Sequence, residues 1–157
     1  MTNATKPLSQ TVSLVGGNVK IVVDNYPSLK ILKGSYSHSF GAAGTSYGDL
    51  VRGDTNAAYG AVPASTNLQF WGIDAVQVNN NTGLAGDSGL GYSDDGAGTN
   101  YVSWVAVFNI FGLSAVANLL TSFIIPTGKH PTAKLGQTNA GGGAPNISYT
   151  LYCLETN

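Results

Sequence analysis

Charge is what this chain has least of. Asp, Glu, Lys and Arg together make up 10% of its 157 residues, against about 25% in an average soluble protein. Lys and Arg number seven, Asp and Glu eight, and the only arginine is Arg52. No window clusters Lys or Arg, and a surface that tracks phosphates needs several cations together. Direct nucleic-acid binding is therefore not expected. Cys153 is the only cysteine, so no intrachain disulfide can form. Its neighbours Leu151, Tyr152 and Leu154 provide no cation to activate a thiol, which makes it a buried small hydrophobe.

Metal and cofactor motifs are missing as well. His38 and His130 are the only histidines, and neither has a cysteine or carboxylate at ligand spacing, so no zinc site and no cofactor is expected. The first ten residues contain no apolar core of a secretory leader, which suits a product assembled in a cytoplasm, with an extracellular location as the alternative. Tyr101–Pro126 is a run of 26 residues without one charge, long enough to span a bilayer. Asn109, Gly112 and Asn118 interrupt it, its first half is rich in β-branched and aromatic residues, and no basic residue flanks it before Lys129. Buried β-structure is the expectation, and no membrane span.

The chain does have 43% hydrophobic residues spread along its length, and 21 glycines. The length fits one domain, with residues 1–10 expected as a flexible tail and 11–157 as a single β-sandwich domain. Thr11–Val15 and Asn18–Val23 flank Gly16-Gly17, the pattern of a β-hairpin. Leu29–Phe40 predicts a further strand. Gly41–Thr66 reads as a long Gly/Ala/Ser/Thr/Asn loop anchored by Tyr47, Leu50, Val51, Tyr59 and Val62.

Leu68–Val78 is apolar on both faces, as in a strand held between layers. Asn79–Asn100 reads as a second loop, dense in Gly, Asn and Asp. Tyr101–Phe111 predicts a strand with Val102, Trp104, Ala106, Phe108 and Ile110 on one apolar face. The next segment stays open: Leu113, Val116, Ala117, Leu120 and Ile124 match helical spacing with Ser114 as N-cap, while Thr121–Ile125 also suits a strand. Asn146–Glu155 alternates cleanly, with Ile147, Tyr149, Leu151 and Cys153 inward. The predicted class is all-β: an antiparallel sandwich or barrel, jelly-roll-like, with long Gly-rich loops and at most one or two short helices. No internal repeat points to a solenoid or propeller.

Short motifs are few. Gly86-Asp87-Ser88-Gly89 resembles the nucleophile segment of chymotrypsin-like serine proteases, and His38 with Asp49, Asp54 or Asp74 keeps that family's order. Leu90 replaces the glycine expected next, and about 50 residues between His38 and Ser88 are too few for that fold. An enzyme is not expected. Asp87, Asp94 and Asp95 lie among glycines, where solvated turn residues outnumber calcium ligands. Arg52-Gly53-Asp54 spells an integrin-recognition tripeptide and is the one candidate receptor motif. Asn3, Asn80 and Asn146 head N-glycosylation sequons.

One cysteine, no leader, a single β-domain, little charge and large loops between strands together resemble the small single jelly-roll capsid and coat-decoration proteins of phage and other icosahedral shells. The resemblance implies a structural subunit that associates with itself and with other particle proteins in a virion. Two other roles fit the composition. Trp71, Trp104 and the eight tyrosines suit a lectin-like, carbohydrate-binding sandwich, and the tail Thr2–Gln10 would be the donor strand of a pilus or fibre subunit, although it is polar and contains Pro7.

Overall fold

The computed structural model describes residues 11–15, 18–22, 29–79, 87–108, 115–119, 122–138 and 143–156. Every element there is a strand, and no helix occurs among the described residues. In chain order they are β1 (Thr11–Val15), β2 (Asn18–Val22), β3 (Leu29–Ser37), β4 (Gly44–Asp49), β5 (Asn67–Asn79) and β6 (Asp87–Ser93). The second half adds β7 (Val102–Phe108), β8 (Ala115–Leu119), β9 (Phe123–Ile125), β10 (His130–Gln137) and β11 (Asn146–Thr156). The expected hairpin is present: β1 and β2 pair antiparallel from Thr11↔Val22 to Val15↔Asn18 as a two-stranded sheet of their own. The expected tail 1–10 and the turn Gly16-Gly17 lie outside the described residues.

The other strands form an antiparallel β-sandwich. One sheet has the order β3-β11-β5-β8, with β9 also on β5, and the other has the order β4-β10-β6-β7. The pairings are nested: β3 with β11, β4 with β10, β5 with β8 and β6 with β7. A long antiparallel ribbon of four such pairs is then rolled so that β11 also meets β5 and β10 meets β6. A single apolar cluster fills the space between the sheets. Leu32, Phe70, Ile147, Leu151 and Cys153 come from the first sheet, and Leu90, Val105, Ala133 and Leu135 from the second.

β11 has the alternation its sequence shows, with Ile147, Tyr149, Leu151 and Cys153 buried and Asn146, Ser148, Thr150 and Tyr152 only partly so. Other expectations need correction. Gly41–Thr66 is not one loop, because Gly44–Asp49 is β4, and Leu50, Tyr59 and Val62 belong to the core. The loop expected at Asn79–Asn100 contains β6, whose glycines fit a closely paired strand. The helix alternative at 113–125 fails: Ala115–Leu119 and Phe123–Ile125 are both strands on β5. β10 lacks any alternation, since Pro131, Thr132, Ala133, Leu135, Gly136 and Gln137 are all buried. It lies inside its sheet between β4 and β6, and four of its buried residues, Pro131, Thr132, Ala133 and Gly136, are short.

The face assigned to Val102 and Trp104 is also corrected. The β6–β7 register moves from Leu90↔Val105 to Gly91↔Ser103, which makes Trp104 the extra residue of a β-bulge. The phase therefore changes: Val102 is 41% exposed while Val105 is buried. Gly91 sits opposite the bulge, and a Cβ there would lie 1.9 Å from the Val102 carbonyl oxygen. Backbone cannot yield as a side-chain tip can, so Gly91→Ala is expected to destabilise the fold by about 2–4 kcal/mol. Gly41→Ala, where a Cβ meets nothing within 4 Å, should stay within about 0.5 kcal/mol, both variants being compared with the parent by urea titration.

Candidate functional site

The two flanks of the sandwich are built differently, and most of the polar chemistry lies on one of them. β3 and β4 end their sheets on one side. There the segment 50–62 leaves β4 and crosses to β3 as a strap. Lys33 N–H donates to Val51 O at 3.2 Å and Gly53 N–H to Ile31 O at 2.9 Å, covering the outer edge of β3. Three tyrosine hydroxyls fasten this region. Tyr36 donates to Tyr47 O at 2.7 Å, Tyr59 donates to Glu155 Oε1 at 2.6 Å, and Tyr149 Oη accepts from Val51 N–H at 2.8 Å.

Arg52-Gly53-Asp54 lies in this strap. Gly53 and Asp54 are exposed, but Arg52 is half-buried. Its guanidinium carbon lies 5.1 Å from the centre of the Tyr59 ring, a cation–π contact. Its N–H donates to Ala57 O at 2.8 Å and its carbonyl accepts from Asn56 N–H at 2.9 Å. The arginine of the tripeptide thus caps the Tyr59–Glu155 pair, in a short tied turn.

The residues of the protease-like pattern do not form a triad. His38 is exposed and packs edge-on against Phe40 at 4.6 Å. Ser88 is buried in β6, where its Oγ accepts from Gly136 N–H at 3.1 Å. Asp49 instead faces His130, Oδ1 to Nδ1 at 3.0 Å, a pair that sequence reading missed because 81 residues separate the partners. Gly96, at φ +74°, closes over Asp49, and a Cβ there would meet Oδ1 at 2.1 Å. Asp74 lies in β5.

The carboxylates of the 94–100 turn are occupied by protein groups. Asp94 accepts from Lys129 Nζ at 2.6 Å and Asn100 Nδ2 at 2.8 Å, and these contacts, Lys129 foremost, hold its carboxyl below the usual range. Asp95 accepts from Thr99 Oγ1 at 2.7 Å and from the Ala97 and Thr99 N–H groups, and the Thr99 hydrogen bond leads the causes that lower it. Among the described residues no three His, Cys, Asp or Glu gather as metal ligands. Of the sequons, Asn146 begins β11, half-buried between Ser37 and Asn79, and Asn3 and Asn80 lie outside the described residues.

The opposite flank has a different character. β7 ends one sheet there, and β8 and β9 border β5 in the other. All three strands come from the uncharged run Tyr101–Pro126. The sheets are bridged by stacked rings: Trp104 of β7 lies parallel to Phe123 of β9 at 5.3 Å and packs on Phe70 at 5.0 Å, with Tyr92 beside Phe123 at 5.8 Å. Val102 at 41% and Ile124 at 53% are exposed beside them. No helix among the described residues is long and apolar enough to cross a membrane.

Two outcomes follow from the buried groups. Cys153 donates to Lys30 O at 3.1 Å, and burial pushes its thiol up, so it should resist a thiol reagent in the native protein and react on unfolding. Burial and the Glu155 contact raise the Tyr59 phenol far above its ordinary 10.0. Its folded value exceeds its unfolded one, so its contribution is complete below about pH 10 and falls as pH rises further. Tyr59→Phe should make the alkaline loss of stability shallower by about 1.4 kcal/mol per pH unit, read from urea titrations above that pH. The chain matches no family model and no curated protein sequence.

Proposed function

We propose that this chain is a structural subunit of a self-assembling particle, a coat or decoration protein of a viral shell. The observation that carries this reading is the wiring of the sandwich. Nested pairs β3·β11, β4·β10, β5·β8 and β6·β7, with β11 also meeting β5 and β10 meeting β6, support reading the sandwich as a jelly roll, an architecture that recurs in viral capsid domains. Fold alone is analogy, and the composition adds a physical reason. Charge keeps soluble monomers apart, and at 10% charged residues this surface carries little to oppose contact with its own kind.

The proposed partners are further copies and other proteins of the particle, within a virion. Six lysines and Arg52, unclustered, do not make a basic arm that condenses a genome, so the subunit would form an outer layer or a shell around a genome packed by other means. The lectin-like alternative draws little from Tyr36, Tyr59 and Tyr149, because they commit their hydroxyls to internal contacts. Light scattering and electron microscopy of the purified protein test the proposal. A discrete ring, shell or fibre is expected, and a monomer that persists at high concentration overturns it.

A further inference from the structure

We infer that the uncharged flank is a homotypic contact, in which β7 pairs antiparallel with β7 of a second copy across a two-fold axis; this rests on the assembly reading above. The first support is hydrogen bonding. Among the described residues β7 has β6 on one side and no strand on the other, so its outer N–H and C=O groups form the open row that accepts another strand. The β3 edge is covered by Val51 and Gly53 of the strap. Among the described residues the β3 edge is covered and the β7 edge is open.

The second support is the charge distribution. Proteins protect edge strands with Lys, Glu or Pro, yet β7, β8 and β9 contain none of them. Charges on the first sheet's other edge include Lys30 and Lys33 of β3, with Arg52 and Asp54 in the strap beside it. A partner with charges at the contact would lose their hydration and find no counter-ion there. A second copy brings an equally neutral flank, and the exposed Val102 and Ile124 lose water on contact without any charge being buried beside them.

The third support is symmetry. A strand crossing a two-fold axis meets itself antiparallel, so donors face acceptors without a second matched sequence. The bulge at Trp104 lies at the Val102 end, and Val105–Phe108 pairs with β6 in unbroken register. That leaves a regular stretch at which the axis can sit. The occupant is therefore a copy of this chain.

The test is sedimentation of the full-length protein over a wide concentration range, with Val102→Lys and Ser103→Lys as edge variants. Both positions are exposed on β7. Ile31→Lys, exposed at 42% on the strapped flank, is the control, and circular dichroism checks that each variant folds. Expected results are that the edge variants weaken self-association by more than about tenfold while Ile31→Lys leaves it unchanged. Amide exchange at Val105–Phe108 should slow as wild-type protein associates. If wild type and edge variants assemble equally well, the edge contact is overturned and the assembly reading stands. A wild type that stays monomeric over the whole concentration range overturns both.

Discussion

The insertion of β11 between β3 and β5 is the constraint on which the rest of the structure depends. Its partners run from Leu154↔Leu29 to Asn146↔Ser37 on one side and from Thr156↔Asn67 to Asn146↔Asn79 on the other. Without it, among the described residues, β3 has no ladder and β5 keeps β8 and β9 alone. Its inward residues Ile147, Tyr149, Leu151 and Cys153 are core members, and its outer end supplies Glu155 to Tyr59. A strand more than a hundred residues from its partner β3 carries a large closure cost, paid before any contact rewards it, so the topology favours slow folding.

With so few charges, the chain fixes its long-range geometry through tyrosines. Tyr36, Tyr59 and Tyr149 each place a ring against the interior and a hydroxyl on a partner in another element. A neutral hydroxyl is cheaper to bury than an ion, because less hydration is lost when it leaves water. The hydroxyls within the second sheet obey the same economy of donors. Thr132 gives its one proton to His130 O, so Ser93 must donate to Thr132, and Ser93 in turn accepts from Gly96 N–H. Salt bridges are left to the periphery, as at Lys129–Asp94, where their contribution is small.

Legibility in the sequence followed from which physical signal each element uses. β11 was readable because one face meets the core and the other does not, and the β1–β2 hairpin because two β-branched runs flank a glycine pair. β4 and β6 look like loops in the sequence because glycine usually marks turns, whereas Gly48 lies under the Tyr36 ring and Gly91 against the Val102 carbonyl; there glycine permits close approach. β10 is buried on both faces, from Pro131 to Ala133 and from Leu135 to Gln137, and so carries no period. The β7 face was misassigned because a bulge changes phase without any sign in the sequence. The candidate site was harder still. Val51–Tyr149 and Tyr59–Glu155 join residues 98 and 96 apart, so only the rolled ribbon brings them together.

The nested pairing also sets an order in which surfaces appear. β6 and β7 form the innermost of the nested pairs, separated only by the 94–101 turn, and among those pairs its closure costs the least entropy. β10 and β11 come last in the chain and join the two halves of the ribbon. An uncharged apolar edge such as that of β7, β8 and β9 is an aggregation hazard in any fold that still lacks β10 and β11. The bulge at Trp104 lessens that hazard, since it bends and twists the edge locally, and the Trp104–Phe123 stack ties β7 across to β9. What makes the flank suited to ordered contact is therefore the same neutrality that endangers it earlier; the difference is whether the rings have already fixed its shape.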